Sequence, residues 1–234
     1  KIGELGDPQA DDVARIRALR DTVGPDVRIR LDANARYSLN QAESTLLALA
    51  EFNIDYVEQP VATVAEMVEL KRRIAGSGIR IAADELIRQH HQLDQIIYRG
   101  AADIAVLKTS PLGGVRTTLS LANRAHNSLL EVVISSALET SIGLSWGMRS
   151  AALLKQQWGS LPDSGLGTAV FLTTDVVTEP LLVKEGHVTA PTPELDAEAI
   201  NFVRANPERT AWWQARLRRC YPKARHMILG TDWV

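Results

Sequence analysis

Along this chain, short runs of consecutive or alternating Val, Ile, Leu and Ala give way to stretches in which apolar residues recur every three or four positions. The short runs, at 27–31, 56–57, 81–83, 104–107 and 131–134, read as strands, and residues 1–2 read as the end of another. Between them, 10–23, 39–52, 64–75, 89–99 and 114–125 have the helical period; in the first, Val13, Ile16, Leu19 and Val23 form the stripe that a helix turns toward a sheet. Six such units, strand then helix, predict βαβ packing on a parallel sheet. Past Ser136 the rhythm loosens. Residues 141–157 read as a helix, 164–168 as a short strand and loop, and 181–188 as a β pair turning at Glu185 and Gly186. A last amphipathic segment, 194–219, carries Trp212 and Trp213, expected as packing anchors. We therefore expect a barrel-forming part over 1–168 that carries the active site, and a C-terminal part over 169–234 that closes it.

The residue closing each apolar run is polar, at nearly constant intervals. Asp32 to Glu58 is 26 positions, Glu58 to Asp84 is 26, Asp84 to Lys108 is 24, Lys108 to Ser135 is 27, and Lys1 to Asp32 is 31. One strand, loop and helix need about that many residues, so these six side chains are predicted on successive strands at one rim. In a parallel barrel that is the C-terminal rim, where active sites of the architecture sit. A doubly wound open sheet gives the same period. The barrel is favoured by chemistry on every strand and by the lack of a Gly-rich phosphate turn after a strand.

Composition narrows the field. With 45% hydrophobic and 23% charged residues the chain is an ordinary globular one, and a net charge of −2 gives no general attraction to nucleic acid or to an anionic membrane surface. The single cysteine, Cys220, can form no internal disulfide, which suits a reducing compartment and makes cytoplasm the default. No apolar run reaches the length of a membrane span. The chain opens on Lys1 in strand-like sequence, so we expect it to be a piece of something longer.

Three carboxylates converging in a barrel mouth repel one another unless a cation joins them, and an oxygen-only set of Asp32, Glu58 and Asp84 suits a hard divalent ion such as Mg²⁺. Lys1 and Lys108 flank the acids and would face one another across the mouth. A lysine beside a bound cation and shielded from water is expected to have its pKa lowered enough to act as a base. Together these groups suit removal of a proton α to a carboxylate of a small-molecule substrate. At this level dehydration and racemisation both remain open.

The strings RLDAN at 30–34, YVEQP at 56–60, AADE at 82–85 and VLKTSPLGG at 106–114 resemble the metal and lysine motifs of the enolase superfamily, in its muconate-lactonizing subgroup. More narrowly, residues 1–21, EQPVATVAEM at 58–67, SSALETSIGL at 135–144 and SGLGT at 164–168 resemble the o-succinylbenzoate synthase family of actinobacterial type. The resemblance implies a TIM-type barrel whose capping domain, first strand and first lysine of a Lys-x-Lys strand are not in this chain; residues 169–234 would pack toward that capping domain. It implies Asp32, Glu58 and Asp84 as ligands of one Mg²⁺, with Asn34 and Glu85 hydrogen-bonded around them. It further implies Lys1 as the acid/base and Lys108 as the opposing lysine that stabilises the intermediate by its charge. Ser135 and Ser136 would meet the succinyl end of the substrate through backbone donors. The activity implied is syn dehydration to o-succinylbenzoate in menaquinone synthesis.

Other readings stand beside it. An N-acylamino acid racemase or a related epimerase would use both lysines as opposed bases, but dipeptide epimerases carry an Asp-x-Asp where this chain has LPDSGLG at 161–167. Mandelate-type chemistry needs a strand-ending histidine, and His90, His91, His126, His187 and His226 end no predicted strand. A catalytically silent barrel used as a binding module would have no reason to hold a metal. Oligomeric state is not set by the sequence.

Overall fold

A computed structural model describes residues 1–4, 8–189 and 192–229. Helix α1 (Pro8–Val23) leads into β1 (Ile29–Asp32), and four units follow: α2 (Leu39–Leu49) and β2 (Ile54–Glu58), α3 (Val64–Arg73) and β3 (Arg80–Ala83), α4 (His90–Arg99) and β4 (Ile104–Lys108), α5 (Val115–Asn127) and β5 (Glu131–Ser135). The strands pair in parallel in chain order, β1-β2-β3-β4-β5. Helix α6 (Ser141–Trp158) follows, then α7 (Ala197–Phe202) and α8 (Pro207–Leu229). This is a curved α/β half-barrel, consistent with part of the TIM-type barrel expected.

Alternation along the strands separates two apolar layers. In β4, Ala105 and Leu107 join the large cluster under the helices, while Ile104 and Val106 join Tyr56, Ala82 and Val133 inside the curve. The outer cluster includes Leu46, Met67, Leu93 and Leu121, one from each of α2 to α5 and all fully buried. Each such side chain contributes about 1.5–3 kcal/mol on burial. Helices α2 and α3 start where capping boxes fix them, Ser38 with Gln41 and Thr63 with Glu66.

Several expectations need correction. Residues 1–2 are not a strand: Ile2 N donates to Asp32 O (2.9 Å), but two residues are too few to continue a ladder. The helix expected over 39–52 tightens into a 3₁₀ turn at Ala50–Phe52. Residues 164–168 contribute a single bridge, Gly165 with Ser135, and the β pair at 181–188 is one bridge, Lys184 with His187. The segment 194–219 is not one helix; it breaks before Pro207, because the residue preceding a proline is pushed out of the helical region. Trp212 and Trp213 are not buried among the described residues. They are 44% and 51% exposed and meet edge to face at 4.8 Å, with the Arg209 and Arg216 guanidinium groups over their rings.

The inner floor of the sheet is ionic. Arg30 donates to Asp55 (3.0 Å), Arg80 pairs with Asp55 and donates to Glu131 (2.7 Å), so four strands are tied at their N-terminal ends. Burial works against ionising Asp55, yet the two guanidinium hydrogen bonds outweigh it and hold the carboxyl below its ordinary 3.8. A carboxyl with a lowered folded-state value stabilises above its unfolded value and loses that contribution as pH falls through the folded one. We predict that the free energy of unfolding in urea declines below about pH 4, and that Asp55→Asn flattens this slope while costing about 3 kcal/mol at neutral pH, since it leaves two guanidinium groups without their shared partner.

Candidate active site

The C-terminal rim carries the chemistry. Asp32 ends β1, Glu58 ends β2, Lys108 ends β4 and Ser135 ends β5, while Asp84 lies one residue past β3. Cross-strand pairing puts Asp32 beside Glu58 and Lys108 beside Ser135. A bulge contributes: the β1–β2 register slips between Ile29 and Arg30, so that Asp55 is skipped and Glu58, not Val57, comes opposite Asp32.

The two lysines hold opposite ends of the carboxylate row. Lys1 Nζ pairs with Asp32 and donates to Asn34 Oδ1 (2.6 Å); Lys108 Nζ pairs with Asp84 and lies 3.8 Å from Glu58. The order across the mouth is thus Lys1, Asp32, Glu58, Asp84, Lys108. Asn34 and Glu85 join as expected: Asn34 Nδ2 donates to Glu85 Oε1 (2.9 Å) and to Asp32 Oδ2 (3.2 Å), and its own amide donates to Asp32 Oδ1 (2.9 Å).

Ser135 and Ser136 meet the segment 164–168. The Ser136 amide donates to Gly165 O (3.0 Å) and its hydroxyl shares a hydrogen bond with Thr168 (2.8 Å). The expectation of a Ser136 backbone donor for substrate is therefore corrected, since that amide is spent on the neighbouring strand-like segment. None of the histidines whose side chains are described joins the row: His90 and His91 open α4, His126 stacks on Trp158 at 4.1 Å and His187 lies in the small hairpin. The side chain of His226 is outside the described residues.

Gln59, which the sequence reading passed over, is fully buried with a left-handed φ of 39°. Its Oε1 accepts from the amides of Asp84 (3.1 Å) and Leu86 (3.3 Å), and its Nε2 donates to Val61 O (2.8 Å). These bonds sustain a backbone conformation that is unfavourable for a residue with a side chain, and they set the height of Asp84 above the sheet. The only trace in the sequence is its place directly after a strand-ending acid.

Electrostatics inside the row are unbalanced. Burial, together with the charges of Asp32 and Asp84, pushes Glu58 up to about 8 although Lys108 opposes the rise. Asp84 is 1% exposed; its Oδ1 has no hydrogen-bond partner and meets only the Arg88 guanidinium at 3.8 Å. Among the described residues no three such side chains are drawn together tightly enough to hold an ion as they stand, the lysine ammonium groups having taken the carboxylates. The Lys108 pKa is raised: burial depresses it, but Asp84, Glu58 and Glu85 outweigh burial; the lowering expected of a lysine beside a bound cation belongs to the site with that cation in place. Like-charged oxygens, an orphaned buried carboxylate oxygen and an all-oxygen donor set fit a hard divalent cation held by Asp32, Glu58 and Asp84.

A parallel half-barrel with acids and lysines on successive strand ends defines a class, and the chain belongs to it: the sequence model of the enolase C-terminal domain-like family matches residues 1–194. Within that family it is similar to the o-succinylbenzoate synthase of Thermobifida fusca (strain YX), 41% identical over 218 residues, which is 93% of this chain and 65% of the relative. It is likewise similar to the o-succinylbenzoate synthase of Mycobacterium ulcerans (strain Agy99), 40% identical over 95% of this chain and 64% of the relative. The chain thus spans a little under two thirds of the length of these relatives. Among solved structures, muconate lactonizing enzyme from Pseudomonas fluorescens complexed with muconolactone superposes with a TM-score of 0.76 at 27% identity, over 88% of this chain and 55% of that one. The N-succinyl Arg/Lys racemase of Bacillus cereus ATCC 14579 shares the fold, with a TM-score of 0.74 at 23% identity. No helix among the described residues is long and apolar enough to cross a membrane.

Because folded Glu58 holds its proton more tightly than the unfolded chain does, the metal-free protein loses stability as pH rises from about 4.5 to about 8. Glu58→Gln removes that slope. Thermal unfolding in the presence of a chelator, followed across this range, checks it.

Proposed function

We propose that the protein of which this chain is part is an Mg²⁺-dependent o-succinylbenzoate synthase acting in the cytoplasm, in menaquinone synthesis. The reaction is the syn dehydration of 2-succinyl-6-hydroxy-2,4-cyclohexadiene-1-carboxylate. The observation that carries the chemistry is the row itself, with one lysine at each end of three crowded carboxylates. The product, o-succinylbenzoate, is the one named for the relatives at 40–41% identity, and the substrate is what the resemblance implies.

In this reading Asp32, Glu58 and Asp84 hold the ion, with Asn34 and Glu85 fixing their orientation. Bound there, Mg²⁺ supplies positive charge to the substrate carboxylate as the α proton leaves. Lys1, as the free amine, takes that proton; the C–H electron pair moves into the carboxylate, and its return expels the hydroxyl of the neighbouring carbon. The same Lys1, now an ammonium, delivers the proton to the departing hydroxide, so that water leaves from the face on which the proton was taken. Lys108, across the row, contributes fixed positive charge to the intermediate. Aromatisation of the ring makes the step strongly downhill, so metal, base and a fitted pocket suffice. Ser135, at the end of β5, lines the side of the mouth toward the succinyl chain.

The test uses the full-length protein, incubated with this substrate and Mg²⁺ under ultraviolet detection of the aromatic product, with N-succinylamino acids in parallel. Product formation that disappears with chelator is expected. Faster racemisation than dehydration would replace the dehydratase reading with a racemase. Lys108→Ala and Asp84→Asn should each lower turnover by at least about a hundredfold with an unchanged far-ultraviolet spectrum, because both alter only the rim. Unchanged turnover in either variant would remove the assigned roles. Mg²⁺ affinity should fall as pH drops below about 8, where Glu58 gains a proton, and calorimetry in two buffers of different ionisation enthalpy should register proton release on binding.

A further inference from the structure

Outside the rim, one buried acid has a set of partners that the mechanism leaves unexplained. Asp12, on α1, is 1% exposed. Its Oδ2 accepts from the Gly3 amide (2.8 Å) and from the Tyr37 hydroxyl (2.6 Å), and its Oδ1 accepts from Arg15 Nη1 (3.0 Å). Arg15 Nη2 in turn donates to the Lys1 carbonyl. A single carboxylate therefore fixes the main chain on both sides of Ile2, through the Gly3 amide directly and through the Lys1 carbonyl by way of Arg15. Gly3 has a φ of +75°, and a Cβ there would stand 3.2 Å from the Tyr37 ring, so the segment is packed as well as bonded.

The clamp acts on the main chain from which the Lys1 side chain springs. Ile2 beside it is buried in the core and its amide donates to Asp32 O, while the Lys1 side chain is half exposed. We infer that Asp12, with Arg15 and Tyr37, is a positioning residue for Lys1: the clamp sets the origin of the lysine side chain so that its amine reaches the Asp32 end of the carboxylate row. The inference rests on Lys1 being the acid/base of the proposed reaction. Asp12 itself lies on the buried face of α1, away from the carboxylate row.

The test compares full-length wild type, Asp12→Asn and Tyr37→Phe. Asparagine keeps the shape of the side chain but turns one acceptor oxygen into a donor, facing other donors. Phenylalanine removes one bond and leaves the buried charge paired, and it decides the matter if the asparagine variant does not fold. Amide exchange at Ile2 and Gly3 should speed up in both variants, more in Asp12→Asn. With substrate, kcat per folded molecule should fall tenfold to a hundredfold, on the order expected for a misplaced base, with KM within about twofold of wild type. The isotope effect on kcat for substrate deuterated at the α carbon should rise, since proton transfer becomes slower relative to the other steps. A merely structural role lowers the folded fraction and moves neither the isotope effect nor kcat per folded molecule. Unchanged exchange at Ile2 and Gly3, or unchanged kcat and isotope effect beside faster exchange, would overturn the inference. An inactive wild type would overturn the functional reading instead, and the exchange rates would then decide the clamp alone.

Discussion

Three carboxylates held side by side at the end of a parallel sheet repel one another, and the fold makes no provision to separate them. The ladder between β1 and β2 brings Asp32 and Glu58 into direct register, and Gln59 hangs the Asp84 amide beside them. The bulge that skips Asp55 is part of this arrangement. Without the extra residue the pairing that begins at Ile29 and Ile54 would set Asp32 opposite Val57, and Glu58 would belong to no row. The geometry thus concentrates negative charge where two lysines reach it from the ends but leave its middle, at Glu58, short of positive charge.

The two ends of the same sheet show what that shortage means. At the floor, Asp55 lies between Arg30 and Arg80, whose forked donors satisfy both of its oxygens, and its carboxyl is held below the ordinary range. At the rim, Glu58, its side chain likewise largely buried, has two acids for neighbours and one lysine at 3.8 Å, and it is pushed up to about 8. Burial opposes ionisation in both places, and the partners decide the direction of the shift. A floor with its charges matched is a strut, and a rim with its charges unmatched is suited to take up a cation.

Much of this was legible in the sequence because the period of a strand and the length of a βα unit are both stiff quantities. Constant intervals from Asp32 through Ser135 sufficed to place five strand ends on one rim, since neither the pleat nor the helix leaves much freedom in where the next strand stops. What the intervals could not carry were contacts made by side chains that end no strand. Gln59 acts through a left-handed turn, and Asp12 acts from a helix face across a loop, so neither leaves a periodic trace. The surroundings of the α8 tryptophans were not legible for a related reason: amphipathic spacing tells which residues share a helix face but not what covers that face. The sign of the Lys108 shift was not legible, because it depends on whether the neighbouring carboxylates share their charge with an ion, which is a matter of occupancy, not of sequence.

The two lysines at the ends of the row are fixed by different means. Lys108 ends a strand paired residue by residue with β5 from Ile104 to Lys108, so its backbone is set by the sheet and shares the stability of the central ladder. Lys1 stands beside β1, next to a buried Ile2 whose amide donates to Asp32 O, and a carboxylate, a guanidinium and a phenol belonging to α1 and to the loop after β1 hold the same stretch of main chain. Displacement of α1 would therefore move Lys1 while leaving Lys108 and the three acids in place. An electrostatic role tolerates such a shift, because Coulomb energy varies slowly with distance, whereas proton transfer needs its partners within hydrogen-bond reach. In the proposed reaction, the end of the row that demands the closer tolerance is thus the end held by the clamp.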